Sequence, residues 1–358
     1  MNTDELDAMQ EHSLTNYFFV IGFLLYVGFF YPGFMSYDSA VQILQARQGV
    51  YSDWHPPAMA YLWGMVEDYT VPGPAGMLVL QSALIWGGAF LTYRAYFRQQ
   101  GGIVAAIFLC LMLFYPPIFG IAGVIWKDIL MWGLLFLAFG ITGHIGPPGQ
   151  QKAMQAVILT ALVIMLLFAA ILVRLNAAIA TIPLAALLLS RVYSGINLHR
   201  LFISLIVGGV LAILGLGSAV MLNDTLSDRK DHAWVALSLF DVAGVIVKLE
   251  SREAQQSLYD RIPEIMRYAE TVDAIPQSYS SRSWHTLFEY EPIVLRYPPR
   301  PTHKGSVGKN SFSPLNSTEL EQLKQLWLSL IHDYPLQLLM HHLDVFSHVL
   351  GLTPHSLI

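Results

Sequence analysis

Four short stretches of this chain carry side chains able to hold and move charge: Tyr37-Asp38-Ser39, Trp54-His55-Pro56-Pro57, Trp126-Lys127-Asp128 and Arg174-Leu175-Asn176. Asp38 can accept a proton. Lys127 and Arg174 can hold an anion, and a guanidinium suits the oxygens of a phosphate. Gln42 and Asn176 offer amide groups, and His55 a ring that exchanges its proton near neutral pH. Each also has an ordinary structural role. An acid near a helix N-terminus is favoured by the macrodipole, which would account for Asp38 without chemistry. His55 beside Trp54 can serve as an amphipathic anchor at a membrane surface. Lys127 and Arg174 can snorkel to water, and Lys127 can pair with Asp128.

The elements that must position these groups follow from composition. The chain has 358 residues, 54% hydrophobic and 13% charged, and that charge content is about half of the roughly 25% usual for a soluble domain. An all-α membrane protein is expected. Seven spans are read, 14–32, 75–97, 102–119, 127–143, 156–173, 177–190 and 201–222, most of them near the roughly 20 residues that cross a hydrocarbon core and the sixth short enough to be tilted or partly buried in protein. Arg94, Arg98, Lys152, Arg191 and Arg200 fall on one set of connections, and only Arg47, Lys127 and Arg174 on the other. The positive-inside bias therefore predicts a cytoplasmic N-terminus and an outer loop at 33–74. Residues 1–12 are acidic and lack the features of a cleaved signal, so the first apolar stretch is expected to remain as a helix.

Within the outer loop, Pro32 and Gly33 end the first span and Ser36 is placed to cap an amphipathic helix, which sets Asp38 in its first turn. Arg174 opposes the positive-inside bias from a short turn between two spans, and a residue that works against insertion usually has a function. Residues 223–358 read as a small, mainly helical extracytoplasmic domain following a transmembrane core at 1–222. Its expected parts are an apolar stretch at 232–249, a loop at 297–314 and a helix at 319–332 capped by Ser317 or Thr318. An interfacial helix follows at 335–350. Arg296, Arg300, His303 and Lys304 cluster in that loop, which is most simply a solvated basic segment. Asn316-Ser317-Thr318 matches a glycosylation sequon and a helix cap equally well.

Taken together, one acid, one histidine, two cations and two amides project to one face from four separate stretches. An acid to take a proton, with cations to hold a phosphate leaving group, is the chemistry of glycosyl transfer from a lipid-phosphate sugar. The order Tyr37-Asp38-Ser39, His55-Pro56-Pro57 after Gly49 and Tyr51, Trp126-Lys127-Asp128 and Arg174-Leu175-Asn176 resembles bacterial members of the GT-C superfamily. These integral-membrane glycosyltransferases use polyprenyl-phosphate-linked sugars, akin to the protein mannosyltransferases and lipid A aminoarabinose transferases. The resemblance covers roughly residues 14–222. It implies that Asp38 is the catalytic acid of the first outer loop, that it deprotonates or orients an acceptor hydroxyl, and that transfer inverts the anomeric centre. Lys127 and Arg174 match by position as holders of the departing phosphate. Several relatives have two adjacent acids where this chain has Asp38 followed by Ser39, and many continue through further spans.

The implied partners are a polyprenyl-phosphate-linked sugar, a glycan, lipid or protein acceptor, and the lipids of a bacterial cytoplasmic membrane. A net charge of −5 argues against nucleic acid. The cofactor is left open. A divalent metal lacks support in the ligand spacing, since His55 has only Asp53 adjacent and no His-x-x-x-His pair occurs there. The single cysteine, Cys110, allows no disulfide framework. A lipid or polysaccharide transporter is the main rival, although neither repeated halves nor polar residues at the midplane are evident. A non-catalytic scaffold is the third reading.

Overall fold

The computed structural model describes residues 3–146, 149, 151–193, 197–267, 269, 271–288, 294–295 and 316–352. Arg296, Arg300, His303 and Lys304, with the loop expected at 297–314, lie outside the described residues. The described chain divides into two compact units, Met1–Arg229 and Lys230–Ile358.

Backbone polar groups in hydrocarbon have no water to bond, so apolar stretches of this length close their hydrogen bonds within helices. In the first unit these are α1 (Thr3–Phe30), α2 (Tyr37–Gln48), α3 (Ala58–Tyr69), α4 (Ala75–Thr92), α5 (Arg98–Leu113), α6 (Pro116–Ala122), α7 (Lys127–Thr142), α8 (Ala153–Val173), α9 (Ala177–Val192) and α10 (Leu198–Leu226). The unit also has two short strands, β1 (Tyr51–Ser52) and β2 (Ser227–Arg229), paired in parallel. A π-helical turn at Tyr93–Phe97 extends α4.

Three helices are long and apolar enough to cross a membrane: Ala75–Phe97, Ala153–Val173 and Leu198–Leu226. They mark a membrane protein. The stretch expected to form one span at 102–119 is instead two helices, Gly102–Leu113 and Pro116–Ala122, bent by 62°. Pro116 has no N–H to continue the ladder, and it holds Tyr115 extended (φ −60, ψ 126) at the break. Thr15–Phe30 and Ala177–Val192 are apolar but shorter.

Where one apolar helix meets another in lipid, close approach replaces the hydrophobic effect as the source of attraction. The α4/α7 pair shows how. A Cβ at Gly88 would lie 2.8 Å from the backbone carbon of Phe136, and one at Gly140 would lie 2.9 Å from the carbonyl of Gly88. Around this pair Tyr26, Ile85, Trp86, Leu130 and Leu167 form a buried core, while Val157, Ile206 and Ile213 remain exposed on the outside of α8 and α10.

The second unit has its own core. Its helices are α11 (Trp234–Lys248), α12 (Arg252–Asp260), α13 (Ala274–Ser278), α14 (His285–Phe288), α15 (Ser317–Asp333) and α16 (Pro335–Val349). Leu239, Ile246, Leu258, Leu323 and Leu330 are fully buried among them. The cap of α15 is Asn316 rather than Ser317 or Thr318. Asn316 accepts from the Glu319 N–H at 2.9 Å and Glu319 returns the bond to the Asn316 N–H at 2.9 Å, a reciprocal arrangement that neither hydroxyl residue makes. One side of α16 packs on α11, with His341 buried, while Leu336, Leu339, Leu343 and Phe346 stay exposed.

Helices α2 and α3 are clamped by Arg47 and Glu67, bonded at 3.0 and 2.9 Å. These bonds, with a further one from the Gly73 N–H, hold the Glu67 carboxyl below its usual range. A carboxylate with a lowered folded-state pKa contributes stability above its ordinary pKa of about 4.3, and that contribution fades as pH falls through the folded value.

Two outcomes are expected. Gly88→Val should destabilise the detergent-solubilised protein by about 1–3 kcal/mol in thermal unfolding, because backbone cannot yield to the added atoms. Gly209→Val, where a Cβ would have nothing within 4 Å, should match the wild type. Glu67→Gln should lower stability at pH 7 by at most about 1 kcal/mol, and the two melting curves should converge as pH falls below about 4.

Candidate functional site

The site is built on a seam between two loops. Phe34, just past α1, lies in a parallel bridge with Val124, just before α7. Its N–H donates to the Gly123 carbonyl at 3.1 Å and its carbonyl accepts from the Ile125 N–H at 2.8 Å. Gln81, buried on α4, donates to the carbonyls of Ala122 and Val124 at 3.1 and 2.9 Å. Ser36 and Ser39 form a capping box at the start of α2. The Ser39 hydroxyl donates to the Ile125 carbonyl at 2.6 Å and the Trp126 indole N–H donates to Ser36 Oγ at 2.6 Å. The first turns of α2 and α7 are thereby held side by side, Asp38 in one and Lys127 with Asp128 in the other. Both helix ends present the positive pole of their backbone dipoles.

Asp38, Gln42, Trp126, Lys127, Asp128 and Arg174 line one cavity of about 180 Å³. That is below the roughly 300 Å³ of a pocket that engulfs a whole small molecule, and it suits a single charged headgroup. Lys127 is buried, and its Nζ lies 2.7 Å from His55 Nδ1. His55 Nε2 in turn lies 3.4 Å from Asp38 Oδ2. An ammonium only donates, so Nδ1 accepts and the ring carries its hydrogen on Nε2, directed at the carboxylate. Asp38, with 43% of its side chain exposed, is the solvent end of this chain.

Arg174, the residue after α8, pairs through Nε with Asp128 Oδ1 at 2.9 Å. The pairing expected between Lys127 and Asp128 is thus replaced by two others, Lys127 with His55 and Asp128 with Arg174. Neighbours at the start of a helix point about 100° apart, so one turns to His55 in the loop before α3 and the other to the end of α8. Gln42 is buried and its Oε1 has no hydrogen-bond partner. A buried amide oxygen without a partner beside a polar cavity is a group available to a ligand or water.

No protein-family model matches this chain, and neither does any curated protein or solved structure. The site's chemistry therefore rests on its own geometry.

Of the residues singled out by sequence, Asp38, Gln42, Lys127 and Arg174 share the cavity, and His55 stands behind them between Lys127 and Asp38. Asn176 does not join them. It is exposed at the start of α9, makes no side-chain cap there, and is absent from the cavity lining. Its two-residue separation from Arg174 in a turn sends it elsewhere. Asp128 and Trp126 belong to the lining and were visible only as neighbours of Lys127. Ser39 is fully buried and spends its hydroxyl on the Ile125 carbonyl. Among the described residues, the one group of three metal-ligating side chains that converge is Asp241, His341 and His342, in the second unit. No sequence spacing signals it, because the members come from α11 and α16.

Replacing Lys127 by Met should remove the hydrogen bond that fixes the His55 tautomer. In protein labelled with ¹⁵N-histidine, the wild-type His55 signal, assigned by its loss in His55→Gln, should report hydrogen on Nε2. In Lys127→Met the same ring should report a mixture of tautomers.

Proposed function

We propose that this protein is an inverting glycosyltransferase of the GT-C type, moving a sugar from a polyprenyl-phosphate carrier to an acceptor hydroxyl at the outer face of a bacterial cytoplasmic membrane. The observation that carries the reading is the shared cavity, in which a carboxylate, a lysine and an arginine from three separate elements face one headgroup-sized space. The acceptor hydroxyl attacks the anomeric carbon and gives its proton to Asp38. The bond from that carbon to the phosphate oxygen breaks on the opposite side, and the electron pair leaves with the phosphate. Charge on that phosphate grows as the bond lengthens, and Lys127, Arg174 and the two helix N-termini stand where they stabilise it. Gln42 Oε1 is placed to accept a hydrogen bond from a sugar or acceptor hydroxyl. His55 positions Asp38.

The proposed topology has seven crossings: α1, α4, the bent α5/α6 pair, α7, α8, α9 and α10, with the second unit extracytoplasmic. Alternating crossings put the end of α1, the start of α7, the end of α8 and the end of α10 on one face. The contacts from Phe34 to Val124, Asp128 to Arg174 and Tyr51 to Ser227 join those ends and support that order. An apolar groove of about 310 Å³ between α1 and α4, lined by Phe19, Phe23, Trp86 and Phe90, is suited to part of an isoprenoid chain.

The test compares glycan and lipid-linked sugar products of cells expressing wild type, Asp38→Asn or Arg174→Ala at matched protein levels. Removing the base should lower product formation by about 10²–10⁴-fold, and removing the guanidinium should lower it by about 10²-fold or more. Wild-type product in both variants would overturn the assignment.

A further inference from the structure

The second unit brings together three side chains that no feature of the first unit requires. Asp241 Oδ1 lies 3.1 Å from His341 Nε2 and 3.4 Å from His342 Nε2. All three ligand atoms fall within 4.8 Å of one another. Bonds of about 2.0–2.1 Å from a tetrahedral ion to nitrogen and oxygen give a ligand-to-ligand edge of roughly 3.3 Å, and both separations lie close to it. The donor set, two imidazoles and one carboxylate, is the kind that takes borderline first-row cations in preference to magnesium or calcium.

The outer partners are in place as well. Trp327 donates its indole N–H to the other carboxylate oxygen, Oδ2, at 2.7 Å, which fixes the carboxylate plane and leaves Oδ1 toward the rings. The far nitrogen of His341, Nδ1, lies 2.7 Å from the Tyr279 hydroxyl. A ring whose second nitrogen is held in this way presents Nε2 in one orientation, the usual support for a histidine ligand. Gly244, one turn beyond Asp241 on α11, makes room, because a Cβ there would run into the His341 ring. His341 is buried, whereas the His342 side chain is 58% exposed, so the constellation is closed on one side and open to water on the other. That opening gives an ion a way in and leaves a fourth position for water.

We propose that Asp241, His341 and His342 form a binding site for a divalent transition-metal cation of the zinc class, with water as fourth ligand, and that the ion ties α16 to α11. The site is independent of the glycosyltransferase reading and of any residue in the first unit.

The test uses full-length protein in detergent, stripped with a chelator and titrated with Zn²⁺ alone. Wild type should take up about one ion per chain at this site and melt at a higher temperature with it, as linkage requires of a ligand bound only by the folded state. Mg²⁺ and Ca²⁺ should leave the melting temperature unchanged. His342→Ala, whose exposed ring can be lost without opening the core, should melt like metal-free wild type, lose the Zn²⁺-dependent rise and bind at least about tenfold more weakly. Asp241→Asn should do the same, and Tyr279→Phe should weaken binding by about 10–100-fold. The proposal fails if stripped wild type takes up no Zn²⁺, or if His342→Ala and Asp241→Asn bind it as tightly as wild type does.

Discussion

Phe34 bonds through its N–H and its carbonyl to Gly123 and Ile125, on either side of Val124, across a seam only a few residues long, and the placement of Asp38, Lys127 and Asp128 depends on it. Two loops that would otherwise be free of one another are registered there. Gln81 braces the seam from α4, while Ser36, Ser39 and Trp126 cross it with side-chain bonds. Since α2 and α7 each start within three residues of the seam, Asp38 and Lys127 inherit its precision. A site assembled on loop tips alone would lack it. Here the first turn of a helix carries each group, and the loop serves only to align the helices.

The apolar helices make that alignment possible by approaching one another closely. The α4/α7 contact at Gly88 and Gly140 brings backbone against backbone, so Gln81 on one helix reaches the carbonyls leading into the other. Packing and function are linked through one amide side chain. The two carboxylates of the cavity are each matched to a different partner, Asp38 to His55 and Asp128 to Arg174. With both pairs in place, the cavity lining holds two cations, Lys127 and Arg174, against two carboxylates, Asp38 and Asp128.

Hydropathy made the helices legible, and the Pro32-Gly33 and Ser36 signals placed α2, because caps and breakers act within a turn of themselves. Pro116 is as local, and the stretch read as one span at 102–119 bends there by 62°, since apolarity alone says nothing about direction. Asp38, Lys127 and Arg174 could be singled out by charge in apolar surroundings. Their mutual geometry could not, and Asn176 shows why: two residues from Arg174, it turns to water because a tight turn scatters consecutive side chains. Lys127, which could have paired with Asp128 beside it, turns to His55 for a similar reason, as adjacency in sequence is not adjacency on a helix. Asp241, His341 and His342 lay beyond reach altogether. Their convergence is a property of how α16 lies on α11, and no spacing within either helix encodes it.

The sequence Lys127, His55, Asp38 has a direction. Lysine has no lone pair to receive a proton while it is an ammonium, and His55 already turns an N–H toward the carboxylate. Along this chain of contacts neither His55 nor Lys127 offers a lone pair to a proton placed on Asp38. On the proposed glycosyltransferase reading, the exposed side of Asp38 would be the way out for a proton taken from an acceptor, so the base would be restored by exchange with bulk water.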